Sequence, residues 1–267
     1  MKRLPGLDTE GLRSKLKLRA LMSQRLLTSG ILTGSLLLSS GSAITVRAEI
    51  PAQNQTQFTD PLDLSLTLSD RLTAVLPPVV GPLSPEQERK ISQIIHDVYG
   101  FTSTPVLDGN RLNQAYGLIG AEQHLMRYPG DIVANMAPGR GAWGYFAYSK
   151  SQLTPDLIEK EKYYVAVQTL YLSDWTTRLS YLRDWYKFRK VVVVNPNNGR
   201  TVVAVVADSG PAAWTGKHFG GSPEVMTELR LDVGKQKGPV ILFFVDDPED
   251  RVPLGPVEYN LEKLQKV

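Results

Sequence analysis

The chain has 267 residues, enough for one large domain or two small ones, with an apolar share of 42% and no cysteine. The absence of thiols excludes a disulfide framework, a thiolate metal site and lipid attachment through an N-terminal cysteine. The net charge of +3 is concentrated at one end. Residues 1–48 hold eight Lys or Arg against two acids, which leaves 22 basic and 25 acidic side chains in residues 49–267 and removes the high pI as an argument for nucleic-acid binding.

The basic head reads as an export signal, because basic residues precede the apolar stretch Leu26–Leu38 and "VRA" places the small residue Ala48 at a cleavage point. An uncleaved N-terminal anchor is the rival reading. "AQNQTQ" (Ala52–Gln57) is polar and reads as linker, with a glycosylation-type triplet at Asn54, and "LPPVVGP" (Leu76–Pro82) reads as an extended spacer. A helix is expected from Ser84. Ser84 caps it, Pro85 suits its first position, Gln87 completes a capping box, and Gly100 ends it. Ile91, Ile94, Ile95 and Val98 form its apolar face.

A second helix is expected from Thr154-Pro155 to Lys162, a strand over Tyr163–Leu170 and an aromatic-rich helix over Asp174–Lys190. Val191–Val194 and Thr201–Ala207 then flank Asn197-Asn198-Gly199, which predicts a hairpin with a type I′ turn. Ser222-Pro223-Glu224 starts a short helix ending near Arg230, and Pro239–Val245 is a buried closing strand. An acidic, proline-rich loop and a small helix around Leu261 and Leu264 end the chain.

"GRGAWG" (Gly139–Gly144) spells G-x-G-x-x-G, but no apolar strand precedes it and no helix follows, so it predicts a Gly-rich turn entering a strand and no dinucleotide cofactor. His96, His124 and His218 have no metal-ligand spacing, and no metal or other cofactor is expected. No G-x-S-x-G elbow supports a serine nucleophile. The aromatic residues Trp175, Tyr181, Trp185, Tyr186 and Phe188 read as packing against the β structure, or alternatively as a sugar-stacking surface.

Asp208 is the sharpest candidate. An apolar run ends on it, and Gly210-Pro211 force a turn that leaves its carboxylate open to a ligand. Desolvation at that position raises a carboxyl pKa, as a proton donor at neutral pH requires. The alternative is an acid that only accepts hydrogen bonds from the backbone of its own turn.

The run "VVVVNPNNGRTVVAVVADSGPAAWTGK" (Val191–Lys217) resembles the core of double-psi β-barrel domains of the rare lipoprotein A type. Those domains carry a pattern like V-T-N-x-x-N-G-R-x-V-V-V-x-V-x-D-R-G-P, matched here by Asn195, Asn198, Gly199, Arg200, the valines, Asp208, Gly210 and Pro211. Expansins share the barrel. "GAWGYF" resembles the family's glycine-aromatic first strand, and Ser222 its following serine. Four positions depart from the pattern: Gly220-Gly221 stand in place of Asp-Leu, Gln168 lies near the usual Ala-His pair, and Ser209 replaces Arg.

The resemblance implies a mainly β fold with added helices: a six-stranded double-psi barrel over 135–247 with an inserted helix. Residues 1–48 are then a signal peptide or anchor, 49–83 a linker, 84–134 a helical and loop extension, and 248–267 a tail. The implied function is an exported, periplasmic or extracellular protein acting on peptidoglycan or another wall glycan, touching membrane only through its N-terminus. As a lytic transglycosylase it would use Asp208 alone, first as acid and then as base, closing an anhydro ring on the sugar's own hydroxyl. Trp143, Tyr145 and Trp214 would stack on sugar faces, and Lys217 and His218 would contact polar groups. Core or loop packing is the alternative role for each. The alternative function is a non-catalytic wall-binding or wall-loosening module on the same barrel; a periplasmic interaction protein is a third reading.

Overall fold

The computed structural model describes residues 61–260. The expected signal or anchor, the Ala52–Gln57 linker with its Asn54 triplet, and the helix around Leu261 and Leu264 lie outside them. The described chain opens with helix α1 (Pro61–Thr73) and helix α2 (Pro85–Tyr99). A short strand β1 (Thr102–Thr104) and a two-stranded hairpin of β2 (Val106–Leu107) and β3 (Asn110–Arg111) follow. Next come β4 (Tyr116–Ala121), a long irregular segment, helix α3 (Pro155–Lys162), β5 (Tyr164–Val167) and helix α4 (Leu179–Tyr186). The order ends with β6 (Lys190–Val194), β7 (Thr201–Ser209), β8 (Phe219–Gly221), helix α5 (Pro223–Glu228), β9 (Lys237–Asp246) and β10 (Gly255–Pro256).

Six strands close into a ring. β4 pairs with β9, β9 with β6, β6 with β7, β7 with β5, β5 with β8, and β8 with β4. The β4–β8 and β5–β7 pairs are parallel and the other four antiparallel. This closed mixed barrel is the six-stranded double-psi class expected from the 191–217 run. Closure leaves no free edge within the ring. β1 and β10 extend it along β9 and β7.

Alternate side chains of all six strands fill the barrel, including Ile119, Val165, Val193, Val206, Phe219 and Leu242. The opposite face of β6, β7 and β9 (Val192, Val203, Phe243) is covered by Leu68 and Leu72 of α1 and by Ile91 and Ile95 of α2. β7 is therefore buried on both sides along Thr201–Ala207, which explains its unbroken apolar run.

The capped helices form as expected. Ser84 and Gln87 exchange both bonds of the capping box, and Gly100 closes α2 at φ 84°. Ser222 caps α5 and also donates to the Lys162 carbonyl at 2.7 Å. The 191–207 hairpin also forms, with Val194 opposite Thr201, but its turn is not type I′. The loop is longer than two residues, and within it only Gly199 has positive φ, at 67°. Asn195 and Asn198 both donate to the Leu229 carbonyl, at 2.9 and 3.1 Å, so these side chains tie the hairpin to the end of α5.

Four further expectations are corrected. "GAWGYF" forms no strand; the first barrel strand is Tyr116–Ala121, "YGLIGA", whose two glycines hide the strand pattern. Residues 61–73 are helical rather than linker, since Leu64, Leu68 and Leu72 repeat every four positions and bury together. Leu76 and Val80, in the supposed spacer, pack against the same cluster. The helix expected over 174–190 is only Leu179–Tyr186, because Arg178 supplies no side-chain cap and Phe188 adopts φ 57°. The strand over 163–170 ends at Val167, where a short 3₁₀ turn takes over.

Replacing Gly199 by Val places a β-branched residue at positive φ. The substitution should lower unfolding free energy by about 1 kcal/mol or more in chemical denaturation. An unchanged denaturation midpoint would contradict the loop geometry.

Candidate functional site

β5 and β7 run in parallel with Val165 opposite Val206, but the next partners are Ala166 and Asp208. Ala207 is passed over, making a bulge. Regular alternation after Val202, Ala204 and Val206 would aim Asp208 into the apolar barrel. The bulge instead sets it beside Ala166, on the face that carries Tyr164 and Ala207.

Asp208 Oδ1 accepts two backbone N–H groups, from Ala142 at 2.7 Å and Ser209 at 2.8 Å. Among the described residues nothing donates to its Oδ2. Burial pushes the carboxyl above its ordinary range, outweighing the downward pull of the two N–H bonds. One oxygen organises the turn, and the other has no donor among the described residues.

The "GRGAWG" loop serves this contact. A Cβ on Gly141 would stand 3.1 Å from the Ala207 carbonyl and 3.0 Å from Leu125 Cδ1, so glycine there lets the loop lie against β7. Gly144, at φ 85°, returns its N–H to the Gly141 carbonyl and turns the loop back. Ala142 is thereby brought to Asp208.

A second acid lies close by that the sequence reading did not single out. Glu122 directly follows β4, as Asp208 ends the apolar run of β7, so the same pattern marks both. Its carboxyl is raised by burial, drawn down by Lys217 and raised again by the charge of Asp208. Lys217 Nζ stands 3.8 Å from Glu122 Oε1 and donates to the Ala121 carbonyl at 3.2 Å. Gly220, the departure from the Asp-Leu pattern, has a steric reason: a Cβ there would fall 2.4 Å from Glu122 Cγ.

The other expected site residues divide. Trp214 is 88% exposed, on the loop that leaves Asp208. The short turn that carries it is held by the Ala213 N–H donating to the Tyr171 hydroxyl at 2.9 Å. Tyr171 and Leu170 are themselves exposed, so an apolar rim forms here that the sequence reading missed. Trp143 packs against the barrel cluster and donates through Nε1 to the Arg183 carbonyl at 2.6 Å, which anchors the 139–146 loop. Tyr145 is half-buried under the Arg140 guanidinium, 5.4 Å from its ring centre.

His218 turns back to β4, where its Nδ1 accepts the Leu118 N–H at 3.0 Å and so carries the ring proton on Nε2. Burial lowers its pKa, with Lys237 adding to the effect. Gln168 is a fastener: its amide donates to the carbonyls of Pro211 and Lys217 and accepts from Asn113, pinning the 211–217 loop to the barrel. Among the described residues no group of three or more His, Asp or Glu converges as a metal site, and no helix is long and apolar enough to cross a membrane.

No family model and no curated protein matches the chain. Among solved structures it is similar to the expansin of Clavibacter michiganensis in its apo form, with 19% identity, a TM-score of 0.29, and coverage of 50% of this chain and 51% of that one. A point mutant of the same expansin, in complex with cellohexaose, aligns at 18% identity and a TM-score of 0.29 over 52% and 53% of the two chains. The chain thus spans about half the length of these expansins. Its architecture is established by the strand pairings described above.

Because Asp208 is easier to protonate folded than unfolded, the folded state holds more protons between the ordinary carboxyl pKa and the raised one. Its contribution to stability falls as pH rises through that window. Asp208→Asn keeps an Oδ1 acceptor and removes the charge, so it should match or exceed the wild-type melting temperature at pH 7. The gap should close on acidification. A loss of stability that is equal at neutral pH and in acid would contradict a desolvated Asp208.

Proposed function

We propose that the protein is an exported cell-wall polysaccharide-binding module that holds a glycan strand across the Asp208 end of its barrel. The observation that carries this reading is the fixed, 88% exposed Trp214 with Tyr171 beside it, on the loop that leaves a half-open carboxylate. Flat aromatic faces cover the apolar faces of sugar rings, while carboxylate, ammonium and amide groups take the hydroxyls. Lys217 supplies the ammonium; Trp143, Tyr145 and His218 support the surrounding loops. The basic-then-apolar head supports export.

A lytic transglycosylase using Asp208 alone is the second reading. It is favoured by a carboxyl that burial raises and that keeps one oxygen open. The two readings separate on one product: incubation with peptidoglycan yields anhydro-ended sugars only under the second.

The binding reading is tested by retention of the full protein on peptidoglycan sacculi and on microcrystalline cellulose. Covering roughly 100 Å² of an indole at ~25 cal/mol per Å² is worth up to ~2.5 kcal/mol. Trp214→Ala should therefore weaken retention about tenfold or more without lowering the melting temperature. Unchanged retention, or no retention of the wild type on either wall material, would overturn the assignment.

A further inference from the structure

A cleft of about 470 Å³ opens where the turn 171–174, between β5 and α4, faces the stretch 109–113. Both walls lie outside the six-stranded ring. Leu182 and Tyr186 of α4, both buried, form the floor. The volume is that of a small-ligand site.

The cleft is braced from wall to wall. Arg178 Nη2 donates to Asn110 Oδ1 at 3.2 Å on one wall, and Nη1 pairs with Asp174 Oδ2 at 2.6 Å on the other. Asn110 is buried, and its Nδ2 donates to the Asp108 carbonyl at 3.2 Å and to the Tyr181 hydroxyl at 3.0 Å. The Tyr186 hydroxyl donates to the Arg111 carbonyl at 2.6 Å, which ties the floor to the same wall. A ligand entering walls fixed in this way does not bear the entropy of ordering them.

Two contacts join the cleft to the loop that carries Trp214. Tyr171 lines the cleft and accepts the Ala213 N–H at 2.9 Å. Asn113, on the opposite wall, donates to Gln168 Oε1 at 3.1 Å, and the Gln168 amide holds the Pro211 and Lys217 carbonyls. The exposed rings of Trp214 and Tyr171 and the cleft therefore share one hydrogen-bonded frame.

The lining defines the chemistry of the occupant. Its charged residues are Arg111 and Asp174, and each already has a partner in the chain, Glu88 and Arg178. The cleft thus has no spare charge for an ionic ligand. Its free groups are neutral. Among the described residues the Asn113 carbonyl oxygen and the Ser173 hydroxyl have no partner, and the Tyr171 ring is half exposed. Neutral hydrogen-bonding groups beside an aromatic face suit an uncharged, hydroxyl-rich ring.

We infer that this cleft is a second sugar subsite, which takes a neutral pyranose unit of the same strand that Trp214 stacks on. The strand then runs from the Asp208 end of the barrel, past Tyr171, toward α4. The inference rests on the glycan-binding reading above and names a second place where the strand is held.

The test measures binding of cello- and chito-oligosaccharides to the full protein by calorimetry, dimers against hexamers. A hexamer covers Trp214, Tyr171 and the cleft in one strand, whereas a dimer covers only part of that path. The hexamer should bind about tenfold or more tighter, because it buries more ring surface. Ser173→Leu puts a bulky side chain without hydrogen-bonding groups or a stacking face into the cleft. It should remove the advantage of the hexamer while keeping the melting temperature. Bound hexamer should also slow amide hydrogen exchange over 109–113 and 171–174 in the wild type, a readout that does not depend on the variant folding.

Hexamers that bind no tighter than dimers, an advantage that survives in Ser173→Leu, or protection confined to 211–217 would each overturn the inference. Any of these, with binding still lost in Trp214→Ala, leaves the glycan-binding reading intact. Failure of the wild type to bind the oligosaccharides, sacculi and cellulose alike would remove both.

Discussion

The bulge at Ala207 is the constraint on which the site depends. β7 is buried on both faces, and its alternation leads from Val206 toward an Asp208 inside the barrel. A carboxylate there would lie among Val165, Val206 and Phe219 without a partner, at a cost of several kcal/mol or more. One extra residue in the parallel pairing moves the acid to the other face, beside Ala166. Everything near Asp208 is fitted to that move. Gly141 allows the 139–146 loop to touch Ala207, the Ala142 N–H reaches Oδ1, and Trp143 fastens the loop to α4. The G-x-G-x-x-G spelling is thus explained by a close backbone approach and not by a nucleotide.

The electrostatics follow from partial burial. Asp208 and Glu122 both lie deep enough for desolvation to dominate their pKa, yet each keeps an open side. Burial raises both carboxyls, and Lys217 draws Glu122 part of the way back down. Gly120 and Gly220 leave Lys217 and Glu122 the space they occupy. Gly220 stands where a side chain would collide with Glu122, which comes from the end of β4.

Much of the barrel was legible because local signals agree with the fold. The Ser84 and Ser222 caps, the Asn-rich hairpin and the all-valine strands each point to the element they form. Asp208 was legible for the same reason, as an acid ending an apolar run. The first barrel strand was not, because "YGLIGA" owes its pairing to glycines that make room for His218 and Lys217, and such room is a property of the neighbours. "GAWGYF" resembles a glycine-aromatic strand, but its residues anchor a loop through Ala142 and Trp143. Glu122 carried the same mark as Asp208, but its place beside Lys217 and over Gly220 is set by the barrel pairing. Trp214 was visible from the sequence, whereas its support by Tyr171 joins residues 42 positions apart.

On this account the bulge presents Asp208 beside Ala166, at the barrel end from which the Trp214 loop leaves, and a sugar is held there. An experimental structure of the full chain with a short wall-glycan fragment tests it most directly. The account predicts Asp208 paired beside Ala166, Ala207 passed over in the pairing, and a sugar ring against Trp214 at the Asp208 end of the barrel. An Asp208 side chain turned inward beside Val206, or a fragment bound away from this end of the barrel, would contradict it.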